Sequence, residues 1–72
     1  MTNISMDWYE NREDPEHVMY ELRCPDPAYE KLNVSIPASE VTERVARAKL
    51  IEKAFAQAAE LGVDETRMRF HV

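Results

Sequence analysis

The sequence contains one cysteine and one glycine in 72 residues. A lone cysteine, Cys24, excludes a disulfide within the chain, so the apolar core has to hold the domain and a reducing, cytoplasmic setting is expected. The lone glycine, Gly62, excludes the glycine-rich loops that cradle phosphates in dinucleotide- and nucleotide-triphosphate-binding proteins. Long apolar runs are missing too. None approaches the roughly 20 residues that cross a bilayer, and the first residues lack the basic-then-apolar order of a signal peptide. No membrane partner is expected. Positive charge is scarce: nine Lys and Arg stand against 14 Asp and Glu, for a net charge of −5. That balance disfavours direct binding to nucleic acid, which needs clustered cations to displace counterions.

What is present describes a single compact domain over residues 1–72. The hydrophobic fraction, 44%, is too high for a disordered chain. A chain this short still buries only about 60% of its unfolded surface, so its stability margin is narrow. Charge is unevenly placed. Residues 1–30 carry eight acids against Arg12 and Arg23, a net of −6, while residues 31–72 carry six acids against seven bases, a net of +1.

Four segments alternate apolar and polar residues with the period of two that marks half-buried strands. Ile4, Met6 and Trp8 oppose Ser5, Asp7 and Tyr9. Val18, Tyr20, Leu22 and Cys24 oppose His17, Met19, Glu21 and Arg23. Leu32, Val34 and Ile36 oppose Lys31, Asn33 and Ser35, and Met68, Phe70 and Val72 oppose Arg67, Arg69 and His71. The polar stretch Asn11–Glu16 and the sequence Pro25-Asp26-Pro27 are expected to be hairpin-type connections, making the first three strands a meander.

From Pro37 to Gly62 the period becomes helical. Val41, Val45, Ala48, Ile51, Phe55, Ala58 and Ala59 form one stripe, and six alanines between 46 and 59 favour helix. Ser39 is the expected N-cap, with Ser35 and Pro37 as the competing start, and Gly62 the expected left-handed stop. Helix stripe and dry sheet face each need a cover, and each is the other's candidate. The expectation is an α+β, two-layer fold: a mostly antiparallel four-stranded sheet covered on one face by a single long helix, in the order β-β-β-α-β. Trp8, Phe55 and Phe70 are the expected large core pieces.

Chemistry-bearing constellations are sparse. His17 and His71 fall on wet faces and Cys24 on a dry one, with no Cys-x-x-Cys or His-x-x-x-His spacing, so no metal is expected. Cys24 beside Arg23 reads as a small buried hydrophobe rather than a nucleophile, and no oxyanion site or base accompanies it. Neither enzymatic activity nor a cofactor is expected. The strongest local feature is acidic: Asp7, Glu10, Glu13, Asp14 and Glu16 lie within ten residues, with Glu21 facing them across the first hairpin. The plain interpretation is a solvated loop that protects a sheet edge. The functional one is a carboxylate row, with Tyr9 as aromatic anchor, that meets a basic surface on a partner protein.

Two further surfaces compete. Leu50, Ala54 and Leu61 lie opposite the Val41–Phe55 stripe and are expected to form a ridge for self-association, making a homodimeric assembly protein the alternative. Lys31, Arg67 and Arg69 on strand wet faces make a small positive patch, a weaker basis for binding RNA. In size, single-domain build and acidity the chain resembles phage- or plasmid-encoded anti-defence proteins, including inhibitors of CRISPR effectors. That resemblance is one of type, carried by no shared motif. It implies an inhibitor or adaptor whose acidic hairpin occupies a basic, nucleic-acid-binding surface.

Overall fold

The computed structural model describes residues 2–72. Alternating residues build the first hairpin, in which β1 (Ile4–Asp14) pairs antiparallel with β2 (His17–Arg23). Trp8 lies opposite Leu22, Tyr9 opposite Glu21 and Asn11 opposite Met19. The segment Asn11–Asp14, expected in a connection, is strand instead. Pairing with β2 supplies its backbone partners, and only Pro15 and Glu16 remain as the turn. The Asp14 carboxylate closes that turn by accepting the Glu16 N–H at 2.9 Å. A register shift between Arg12 and Asp14 marks a bulge just before it.

After β2, Pro25-Asp26-Pro27 opens a 3₁₀ segment, Pro27–Leu32, rather than a hairpin turn. Asp26 caps it by accepting the Ala28 N–H, and the Asn33 side-chain oxygen accepts the Cys24 N–H at 2.8 Å. Leu32 therefore leaves the expected third strand, yet it is still fully buried. Strand β3 (Val34–Pro37) pairs antiparallel with β2, placing Ile36 opposite Tyr20 and Ser35 opposite Glu21.

The helix α1 (Glu43–Leu61) starts later than either serine suggests. Thr42 is its N-cap, with its hydroxyl accepting the Val45 N–H at 3.4 Å. Ser39 is unavailable because the chain around it is still turning: Ala38 donates to the Val18 carbonyl and Glu40 to the Pro37 carbonyl. At the other end Gly62 takes φ +70°, and its N–H together with that of Val63 satisfies the last carbonyls at Ala58 and Ala59. Here the expected stop is the observed one. The chain then returns as β4 (Met68–His71), parallel to β1, giving the sheet order β3-β2-β1-β4. The first three strands are the expected meander, and the fold is the expected α+β pair of layers. Val72 lies outside β4 and is exposed.

The core is more aliphatic than aromatic. Ile4, Met6, Leu22, Leu32 and Leu50 are its largest fully buried side chains, while Trp8, Phe55 and Phe70 pack around its margin. Along α1 the buried line is Ala46, Leu50, Ala54 and Ala58. The expected stripe is thus rotated: Ile51 and Phe55 flank the buried line, whereas Val45 is 44% exposed and Ala48 and Ala59 face outward. Three alanines on the contact line let the helix backbone approach the sheet closely, and Leu50 fills the remaining depth. The self-association ridge is corrected accordingly. Leu50 and Ala54 are at 0% exposure inside this chain's own core, and only Leu61, at 41%, reaches the surface.

Candidate protein-docking site

Among the described residues, the β1–β2 hairpin departs from a rounded small domain. Strand β1 has 11 residues, but β4 accompanies only Ile4–Asp7, and β3 accompanies β2 only from Met19 to Leu22. Past Asn11 and Met19 the hairpin continues as a short two-stranded arm, residues 12–18, while from Trp8 to Asn11 β1 lacks a neighbour on one edge only. At about 3.3 Å per residue an 11-residue strand is roughly 36 Å long, close to the molecule's 40 Å long axis; the other two axes are 21 and 20 Å. The radius of gyration, 12.2 Å, likewise exceeds the roughly 11 Å of a compact chain of this length.

Alternation and the bulge divide the seven acidic-site candidates into three places. Asp7, Tyr9 and Glu21 lie on the sheet face that α1 leaves open. Strand pairing lines up Arg23, Asp7 and His71 across that face, and next to them Ser35, Glu21 and Tyr9. Glu21 is held there on both sides, accepting the Asn11 side-chain N–H at 3.0 Å and lying 3.7 Å from Arg23. The Arg23 guanidinium also sits 5.2 Å from the centroid of the exposed Tyr9 ring, a cation–π contact. This local neutralisation makes Glu21 a poor free carboxylate. Asn11, Met19 and Arg23 belong to the same surface and were not among the expected site residues. Met19 and Arg23 are on the expected wet face of the second strand, whereas Asn11 joins them only because β1 extends past Tyr9.

Glu13, Asp14 and Glu16 gather at the exposed tip. Asp14 is engaged in the turn and lies 3.4 Å from His17, while Glu13 and Glu16 project without an ion pair among the described residues. Glu10 lies on the opposite face from Tyr9, in register with Tyr20, and is bound by Arg12 at 2.7 Å. The acidic row of the linear sequence is therefore a tip cluster plus a partly neutralised open face.

The positive patch does not assemble. Lys31 lies in the 3₁₀ segment, and Arg67 turns toward the chain, donating to the Thr2 carbonyl at 2.9 Å and the Tyr29 hydroxyl at 3.1 Å. Arg69 donates to the carbonyls of Thr66 and Met68. A cleft of about 260 Å³ lined by Ser5, Cys24, Asp26, Tyr29 and Arg67 sits at the far end of β1 from the arm. Its guanidinium is already committed to those protein acceptors, and Cys24 at its edge is buried. Among the described residues no group of three His, Cys, Asp or Glu converges as a metal site would. No helix is long and apolar enough to cross a membrane.

Comparison of the chain with protein-family models, curated proteins and solved structures finds no match. The fold and the chemistry of the arm are accordingly the basis for a functional reading.

Proposed function

We propose that this chain is a non-enzymatic protein-binding module, an inhibitor or adaptor that docks its acidic arm on a basic surface of a partner protein. The observation that carries the reading is the arm's construction. Glu13, Asp14 and Glu16 stand at the end of a hydrogen-bonded ribbon rather than on a loose loop. A partner then meets carboxylates that need little further ordering, which lowers the entropic cost of association. The surrounding charge favours fast approach by a cationic surface. Tyr9, 45% exposed at the base of the arm, supplies an aromatic contact of the kind enriched at protein interfaces.

A basic groove that normally takes nucleic acid matches this chemistry, and the resemblance in type to anti-defence inhibitors points to such proteins as the first partners to screen. The test is affinity capture from host lysate with the intact chain and with a Glu13→Lys, Asp14→Lys, Glu16→Lys variant, each checked for folding by circular dichroism. Capture of a basic protein that weakens with salt and is lost in the variant supports the reading. Equal capture by both chains overturns it, as does the absence of any salt-sensitive partner.

A further inference from the structure

The arm leaves one part of the sheet without a neighbour. From Trp8 to Asp14, β1 pairs with β2 on one side, and no described strand lies on the other, because β4 stops in register with Asp7. An unpaired edge exposes backbone donors and acceptors that can accept a further strand. Edges are commonly protected by charged side chains, proline or β-bulges. Here the residues at the middle of the free stretch read Glu10-Asn11-Arg12.

We propose that this edge pairs antiparallel with the same edge of a second copy of the chain, across a two-fold axis at Asn11. A closed symmetric pair must place one residue opposite itself. Centring on Glu10, Arg12 or Glu13 opposes like charges at the axis, which is destabilising. Centring on Tyr9 runs the second strand into the space of β4. Centring on Asn11 keeps the pairing on the regular part of the free stretch and puts a neutral amide at the axis. It places Glu10 of each copy opposite Arg12 of the other; beyond Arg12 the bulge shifts the register and carries Asp14 to the face of His17, away from Trp8. Within this triplet no like charges face each other. The Glu10–Arg12 contact within one chain, 2.7 Å, shows that both groups already lie on one face of the strand and within reach of each other. The bulge between Arg12 and Asp14 falls outside this central triplet. In this register both sheets keep their helices on the same side. The proposal is independent of the docking reading, since it uses the strand edge and the Glu10–Arg12 pair.

The experiment measures mass by sedimentation equilibrium at moderate salt for four samples: the natural chain, Glu10→Arg, Arg12→Glu, and an equimolar mixture of the two variants. Circular dichroism verifies that each is folded. The natural chain is expected at twice 8.4 kDa at high concentration and each variant alone as a monomer. Glu10→Arg changes the net charge from −5 to −3, so its dissociation cannot come from greater overall repulsion. The mixture is expected to dimerise, because every Arg then faces a Glu. A monomeric natural chain overturns the proposal, as do variants that stay dimeric or folded variants that fail to recombine.

Discussion

The guanidinium of Arg47 lies 4.6 Å from the centroid of the Trp8 ring, and Trp8 in turn stacks on Tyr20 with centroids 5.2 Å apart. The Glu43 carboxylate holds Arg47 from the other side at 3.0 Å. This layered contact joins the first turns of α1 to β1 and β2 at the margin of the aliphatic core. Arg47→Ala is expected to destabilise the domain by about 1 kcal/mol, through lost cation–π attraction and lost packing of the side-chain stem. Trp8 is the only tryptophan, so its fluorescence reports directly on the change. A variant with unaltered emission and an unaltered urea midpoint would show that the contact contributes nothing in solution.

The rotated helix face gives a second prediction. Leu50→Ala opens a cavity against the sheet and is expected to cost about 2–5 kcal/mol, a large share of the stability of so small a domain. Leu50→Met conserves volume and should cost less than about 1.5 kcal/mol. Leu61→Ala, at the exposed end of α1, should cost about 0.5 kcal/mol. Denaturant unfolding of the three variants decides the point, and similar losses at positions 50 and 61 would contradict the observed helix face.

Acid titration tests the turn that leads into β4. The Thr66 hydroxyl donates to the Asp64 carboxylate at 2.7 Å and the Thr66 backbone N–H donates at 3.0 Å, with Arg67 adding attraction. These contacts hold the Asp64 carboxyl below its ordinary value of 3.8. A carboxyl lowered in the folded state adds stability above its unfolded pKa, and that contribution is lost as pH falls through the folded value. Thr66→Ala should move the Asp64 midpoint, followed by carboxyl NMR, upward toward 3.8. An unmoved midpoint would remove Thr66 as the cause.

The dry faces of all four strands were legible because burial on one side imposes a period of two on a short segment. Ile4, Met6, Leu22, Ile36 and Met68 are buried as the alternation requires. The candidate site was legible only as composition. Tyr9, Glu21 and Asp7 share a surface, yet Glu10 and Arg12 lie on the other face and Glu13, Asp14 and Glu16 at the tip. Asn11–Asp14 carries no apolar residue, so nothing local distinguishes its extended ribbon from a solvated loop. Its backbone partners in β2 make the difference.

Local patterns alone determined the α+β class, most of the inward residues of the strands (though not Val72, which is exposed), and the helix stop at Gly62, where a left-handed backbone suits the residue without a side chain. Tertiary structure decided which line of α1 is buried, since Leu50 and Ile51 are near neighbours on the helix and only the sheet beneath selects between them. It likewise decided that β4 lies beside β1 and ends in register with Asp7, leaving the arm free. Those outcomes depend on contacts between residues distant in the chain, and such contacts leave no period in the sequence to read.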